Sequence, residues 1–315
     1  MGSLLTTKPQ HWRREQLTTA GLKAVALWGG AARVAEVAPL VGGEVVADLA
    51  EVRSQHQTLV VVGGGMRIDR AKFWRAEQRP EMTLVAIPSL WGSGAEASPV
   101  VVLDRNGSKT IEIGPHYLPD IRVTLPELAT SLSPEQARDG CGDAIAHALE
   151  CLLSPLAGDP LRVEAAALVA QMQRLPIGHH DAWFEVSAQA SAAQAQAGVG
   201  LVHGIAHTLE APLRQHDPAA HWGHARLCAL LLFPVMQFNR HHSKTFTATL
   251  SRYRLDPDAL LAWLQALYRE EAYRQLLPFL EAHWGAILRD PCSRINSAVV
   301  RPGQRDFFLQ EGWSA

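Results

Sequence analysis

Aspartate and histidine residues fall at helical spacing in two alanine-rich runs of this 315-residue chain. Asp143 and His147 are four positions apart, as are His203 and His207, and His224 follows them. Side chains four positions apart project from one face of a helix, so each pair can reach a single point. Carboxylates and imidazoles bind divalent transition metals such as Fe²⁺ or Zn²⁺. The pattern therefore predicts a metal site and an enzyme, although one such pair alone is more often a helical ion pair.

Composition excludes several classes of function. The chain is 47% hydrophobic and 19% charged, with a formal net charge of −2. A near-neutral balance argues against a nucleic-acid partner, which would need a basic surface. The four cysteines form no CxxC pair, and no apolar run of about 20 residues is present to span a membrane. We expect a cytoplasmic protein with no membrane or nucleic-acid partner.

The first part of the chain has the pattern of an α/β domain with a parallel sheet. Short valine-rich runs alternate with glycine and polar residues, and two segments between them read as helices. The predicted strands are 23–27, 44–47, 58–62, 83–87 and 99–103, and the predicted helices are 31–40 and 66–78.

The pattern changes to long alanine- and leucine-rich helices after Ser133, which we predict to be an N-cap with Pro134 at the first helical position. The predicted helices are 135–153, 159–175, 181–199, 201–213, 222–239, 257–268 and 272–288. We therefore expect a Rossmann-like domain at 1–128 and an all-α domain at 129–315.

Two glycine-rich turns follow predicted strands. The first contains Gly63, Gly64 and Gly65, and the second spans 87–98. Glycines let backbone N–H groups approach a phosphate at a helix N-terminus, although they also close ordinary strand–helix connections. Because ligands bind at the carboxyl ends of parallel strands, two such turns together favour a nucleotide site.

The sequence around these residues resembles the iron-containing (group III) alcohol dehydrogenases, including the maleylacetate reductase branch. The matching motifs occur in order between about residues 60 and 239. They are GGGMRIDRAK at 63–72, PSLWGSGAE at 88–96, GCGDAIAHALE at 140–150, GLVHGIAH at 200–207, and His224 followed by LLLFPVMQFN at 230–239.

The resemblance implies a dehydroquinate synthase-like architecture, with the active site between a Rossmann-like half and a helical half. It implies Asp143, His147, His203 and His224 as metal ligands and His207 as a proton carrier. His221 is a rival for the fourth ligand. The implied cofactor-binding residues are Gly64, Gly65, Asp69, Ser89, Ser93 and Lys109. Glu150 and Glu210 are interpreted as solvated or helix-pairing residues.

The implied function is hydride transfer between a nicotinamide and a small aldehyde, ketone or alcohol. The implied metal is Fe²⁺, with Zn²⁺ as the second choice. No acidic residue directly follows strand 23–27, whereas Arg33 is near, which favours NADP(H) over NAD(H) unless Arg33 is simply a solvated residue. Met66 replaces a hydroxyl residue of the first turn. Two alternatives stay open: a dehydroquinate synthase-like lyase and a nucleotide-binding homologue without turnover. A homodimer is an open option for the assembly.

Overall fold

The computed structural model describes residues 8–105 and 108–310. Within these ranges the strands are β1 (Gln10–Trp12), β2 (Val25–Gly29), β3 (Glu44–Val45), β4 (Thr58–Gly63), β5 (Thr83–Pro88), β6 (Val100–Arg105), β7 (Ser108–Ile113) and β8 (Ile121–Val123). The helices are α1 (Arg14–Thr19), α2 (Ala31–Val41), α3 (Gly65–Gln78), α4 (Pro134–Leu153), α5 (Asp159–Met172), α6 (Ala182–Gln194), α7 (Leu201–His216), α8 (His224–His242), α9 (Phe246–Arg252), α10 (Pro257–Gln265), α11 (Glu270–Arg274), α12 (Leu277–Arg289), α13 (Pro291–Arg294) and α14 (Arg305–Phe308).

Six strands form one parallel sheet in the order β1-β8-β5-β4-β2-β3. Every residue of β4 is buried, as are the last five of β5, because helices and loops cover both faces of the sheet. Such strands need apolar side chains on both sides, which explains their near-continuous valine and leucine. The predicted parallel sheet is confirmed.

The prediction that residues 99–103 form a strand of this parallel sheet is wrong. This run forms β6, which pairs antiparallel with β7 in a separate two-stranded hairpin. A short apolar run suits either kind of strand, so the pattern could not separate them. Strands β1 and β8 of the main sheet were not predicted, because three residues are too few to show a period.

Helix α4 forms the centre of the helical half. It begins as predicted, with Ser133 as N-cap in a capping box with Gln136 and with Pro134 at the first position. All residues from Asp139 to Leu153 are buried, since α5, α6 and α8 surround the helix. The predicted helix 272–288 is divided into α11 and α12 before Pro278, since proline has no N–H to donate to the carbonyl four residues earlier, at Arg274.

A close approach of α4 and α8 positions the chemistry. A Cβ added to Gly142 would lie 2.4 Å from Ala229 Cβ and 2.6 Å from Ala229 Cα, so a side chain at Gly142 would separate the helices. The neighbouring Asp143 on α4 is thereby held near His224 at the start of α8.

The apolar core of the helical half is distinct from the two cores that cover the faces of the sheet. Leu128 belongs to a sheet core and Ala129 to the helical core, and on this basis we propose residue 128 as the domain boundary. Trp91 of the second glycine turn is buried in the helical core, so this turn joins the two halves.

All four cysteines are free and buried. No helix among the described residues has the length and apolarity required to cross a membrane.

Candidate metal centre and glycine turns

Three imidazoles surround one carboxylate oxygen. Asp143 Oδ1 lies 3.7 Å from His203 Nε2, 3.8 Å from His224 Nε2 and 3.9 Å from His147 Nδ1. These separations are too long for hydrogen bonds. Two ligands of a tetrahedral ion with bonds of about 2.0–2.2 Å lie about 3.4 Å apart, so the observed spacing is close to that of ligands sharing one ion.

Three of the potential metal-binding atoms of this cluster are buried without hydrogen-bond partners. Asp143 Oδ1, His147 Nδ1 and His203 Nε2 belong to this group, and each of the three residues is at most 6% exposed. A buried polar atom that lacks a partner costs about 1–3 kcal/mol, so such atoms are rare unless they serve an ion or a ligand. The residues therefore fit a divalent cation.

Electrostatics gives these groups different protonation tendencies. Burial lowers the pKa of His147 to about 3 against the attraction of Asp143, which leaves the imidazole neutral and able to bind a metal. Burial alone would raise the pKa of Asp143, but His147, His203 and His224 outweigh it and hold that pKa below its ordinary value. The carboxylate is therefore ionised at neutral pH.

His203 is oriented by a second carboxylate. Its Nδ1 lies 2.6 Å from Glu150 Oε2, while Glu150 Oε1 accepts a hydrogen bond of 2.7 Å from the backbone N–H of Val202. A carboxylate that accepts Nδ1–H leaves Nε2 unprotonated and directed at Asp143, as in many metal sites. Glu150 is 4% exposed, so its interpretation as a solvated or helix-pairing residue is wrong.

The structure brings His224, and not His221, to Asp143. His221 is exposed and adopts a left-handed backbone conformation with φ of 51° in the connection before α8. His207 lies beside the cluster, with its ring stacked on that of His224 at a centroid distance of 5.2 Å. Burial, followed by the neighbouring His224 and His203, holds the pKa of His207 well below its ordinary value.

The two glycine turns meet at the carboxyl ends of β4 and β5. The N–H of Ser89 donates to Gly63 O at 3.0 Å, and a Cβ at Gly65 would lie 2.4 Å from Ser93 Oγ. Gly64 caps α3, so the N-terminus of a 14-residue helix opens onto these turns. Such an arrangement favours an anionic group, because several N–H donors and the positive end of the helix lie together.

The second turn also reaches the metal cluster. A Cβ at Gly92 would lie 3.2 Å from Asp143 Oδ2, and the Gly92 backbone exchanges two hydrogen bonds of 2.8 Å with Ser187 Oγ on α6. Trp91 Nε1 donates to Ala137 O of α4 at 2.9 Å. The nucleotide-type turns and the candidate metal ligands therefore form one continuous site.

No protein-family model matches the chain. The 1-propanol dehydrogenase PduQ of Salmonella typhimurium is 33% identical over 211 residues, which are 62% of this chain and 55% of that relative. The match thus spans little more than half the length of that relative. The iron-containing alcohol dehydrogenase of Thermococcus thioreducens has the same fold, with a TM-score of 0.79 and 19% identity over 96% of this chain and 97% of that one. Sulfoacetaldehyde reductase from Bifidobacterium kashiwanohense, solved with NAD⁺, has a TM-score of 0.72 and 16% identity, covering 96% of each chain.

The chain has the fold of the iron-containing alcohol dehydrogenases, and its motifs resemble those of that family. The Asp143 motif of the family lies on α4, the His203 motif on α7 and His224 at the start of α8. The two family turns lie at neighbouring strands of the sheet. The ligand, proton-carrier and cofactor roles of individual residues stay predictions.

Two of the predicted cofactor residues have partners within the protein. Asp69 Oδ1 accepts from Lys72 Nζ at 2.9 Å and its Oδ2 accepts from the backbone N–H of Val102 at 3.1 Å, which ties the hairpin to α3. Lys109 Nζ lies 3.3 Å from Glu210 Oε2, and the same oxygen lies 4.0 Å from His224 Nδ1. Glu210 is 2% exposed and pairs with Lys109 on the hairpin as well as with Arg214 on its own helix, so its interpretation as a solvated or helix-pairing residue was incomplete.

Three residues near the cluster were not singled out from the sequence. Cys228 lies beside His224, and Asp290 and Cys292 lie 4.0 and 3.9 Å from His207 Nδ1. Cys228 follows His224 by four positions, a spacing that could have identified it. Asp290 and Cys292 are distant in sequence from every motif, so only the fold brings them to the site.

Proposed function

We propose that this protein is a metal-dependent, NAD(P)(H)-linked alcohol dehydrogenase that interconverts a small aldehyde or ketone and its alcohol. The observation that carries the proposal is the set of unpartnered buried donors around Asp143 Oδ1, next to a glycine turn of dinucleotide-binding type. The resemblance to alcohol dehydrogenases supports the reaction class, and the name of the Salmonella relative makes propanal a reasonable first substrate.

The residues that would hold the metal are Asp143, His147, His203 and His224. Fe²⁺ is the preferred metal and Zn²⁺ is the second choice. When bound, the metal would polarise the carbonyl or hydroxyl oxygen and the nicotinamide would carry the hydride. Glu150 keeps a proton on His203 Nδ1 and so keeps Nε2 available as a ligand. Asp143, His147 and His203 are buried, which limits the access of water to these three residues.

His207 is the proposed proton carrier. Its lowered pKa favours the neutral imidazole, which can accept a proton from an alcohol hydroxyl. Its Nδ1 is directed toward Asp290 and Cys292. We therefore propose Nε2 as the atom that exchanges the proton with the substrate.

We propose Gly64, Gly65, Ser89, Ser93 and Lys109 as the dinucleotide-binding residues, with Asp69 supporting them through the hairpin. We still favour NADP(H) over NAD(H) as the cofactor, but the arginine that supports this preference is Arg67 rather than Arg33. Arg33 pairs with Glu36 and Ser131, whereas Arg67 lies where β2 ends: a Cβ at Gly30 would be 2.7 Å from Arg67 Nη1. Arg67→Gln should weaken NADPH binding more than NADH binding in a fluorescence titration; equal losses for both would contradict this preference.

The test of the function is His203→Ala, with the exposed His241→Ala as control. The first variant should lose bound metal and aldehyde reduction together, and the control should keep both. Full activity and full metal content in His203→Ala would contradict the ligand assignment. Metal and nucleotide binding without turnover on any aldehyde would favour the lyase or the non-catalytic alternative.

A further inference from the structure

Cys228 is a sulfur donor within the metal cluster. It follows His224 by four positions on α8, so both side chains lie on one face of that helix. Its Sγ lies 3.5 Å from His224 Nε2, and the residue is fully buried. Ligand atoms of Asp143, His203, His224 and Cys228 all lie within 4.8 Å of one another.

The surroundings of this thiol indicate a ligand position rather than ordinary packing. Asp143 and His203 belong to the same mutual set, and their Oδ1 and Nε2 atoms are buried without a hydrogen-bond partner. The four ligand atoms come from three helices, α4, α7 and α8, and the close contact of Gly142 with Ala229 fixes the approach of α4 and α8. His147 reaches Asp143 Oδ1 at 3.9 Å but is not part of this mutual set. The thiol therefore lies within reach of the same point as the ligand atoms of Asp143, His203 and His224.

We propose that Cys228 binds the divalent metal as a thiolate, in addition to the expected aspartate and histidines. This inference rests on the proposed metal site. On coordination the S–H proton leaves to solvent as the metal–sulfur bond forms, and no oxidation or reduction occurs. Two anionic ligands, Asp143 and Cys228, then neutralise the two charges of the ion. A soft sulfur donor favours Zn²⁺, Fe²⁺ or Co²⁺ over Mg²⁺.

Cys292 is the competing thiol. It lies 3.9 Å from His207 Nδ1, in a second group with Asp290. Burial and the neighbouring Asp290 raise the pKa of the Cys292 thiol, which opposes the thiolate form needed for a ligand. This residue supplies the control that separates the two sulfur atoms.

The experiment loads the full chain with Co²⁺ alone and records its near-ultraviolet absorption. The wild type should show a thiolate-to-cobalt charge-transfer band, and Cys228→Ser should lose that band and bind Zn²⁺ at least about tenfold more weakly. Cys292→Ser and the remote Cys151→Ser should keep both properties. A band that survives in Cys228→Ser, or one lost in Cys292→Ser instead, would overturn the assignment.

X-ray absorption of the zinc-loaded wild type tests for a sulfur ligand without the need for a variant. A sulfur shell at about 2.3 Å is expected beside nitrogen and oxygen at about 2.0–2.2 Å. Stoichiometric zinc with nitrogen and oxygen ligands only would overturn this inference and leave the proposed function intact. A wild type that binds neither Co²⁺ nor Zn²⁺ would overturn both.

Discussion

Replacement of Glu150 by glutamine tests how the protein prepares its metal ligands. The buried carboxylate makes two short hydrogen bonds, 2.6 Å to His203 Nδ1 and 2.7 Å from the N–H of Val202. Glutamine has one carbonyl oxygen and can accept only one of them in this geometry. In the other position its NH₂ group faces a ring N–H, which forces the amide to flip or the imidazole to change tautomer.

The magnitude follows from the bond that is lost. A hydrogen bond to a charged group contributes about 1.5–3 kcal/mol, which corresponds to about 10–150-fold in a binding constant. Loss of a group that orients a metal ligand costs about the same, 10–100-fold in metal affinity. Glu150→Gln should therefore weaken Zn²⁺ binding by about 10–100-fold.

The assay is competition for Zn²⁺ against a chromophoric chelator. Glu135→Gln is the matched control, because Glu135 is an exposed residue in the first turn of the same helix and is absent from the ligand set. The control should bind Zn²⁺ like the wild type. Wild-type affinity in Glu150→Gln would refute the orienting role of this carboxylate.

Three further predictions concern the packing and the turns around the site. Gly142→Ala should destabilise the protein by about 2 kcal/mol in denaturant unfolding, because overpacking against Ala229 costs about 3 kcal/mol and the gain in helix propensity is about 1. Gly65→Ala should weaken nucleotide binding in a fluorescence titration, because its Cβ would displace Ser93 Oγ at 2.4 Å. Burial raises the pKa of Glu96 from 4.5 to about 7, so its contribution to stability is complete below pH 4.5 and is lost as the pH rises through 7. Between these values the wild type should lose about 3 kcal/mol more than Glu96→Gln in unfolding measurements.

The controls use similar substitutions at open positions. Gly303→Ala introduces the same methyl group where nothing lies within 4 Å, and Glu77→Gln removes an exposed carboxylate. Unchanged stability in Gly142→Ala, or wild-type nucleotide affinity in Gly65→Ala, would contradict the packing argument for that glycine. An equal pH dependence in the wild type and Glu96→Gln would contradict the role of Glu96 burial.

Local patterns predicted the elements that are long or doubly buried. The strands at β4 and β5 are continuous apolar runs, and Ser133 with Pro134 marks the start of α4. The edge strands β1 and β8 are stabilised by pairing with their neighbours, which no local pattern records. Tertiary pairing also decides that β6 belongs to a hairpin rather than to the parallel sheet.

The site divides in the same way. The motif spacing predicted four residues of the metal cluster: Asp143, His147, His203 and His224. The fold brings a ring nitrogen of each histidine within 3.9 Å of Asp143 Oδ1. The prediction that Glu150 is solvated is wrong because the sequence does not show which neighbours surround one carboxylate on an apolar helix. A helix that is apolar all round is itself a sign of burial, and a charge there needs a partner.

The most direct test of the proposed function follows the oxidation of NADPH and NADH by propanal in metal-stripped and metal-reloaded protein. A metal-dependent dehydrogenase should show no turnover after stripping, recovery on addition of Fe²⁺ or Zn²⁺, and no recovery in His203→Ala. Full turnover in protein that holds no metal would contradict the metal-dependent mechanism. Reloaded protein that binds metal and nucleotide yet oxidises neither cofactor with any aldehyde would contradict the proposed activity.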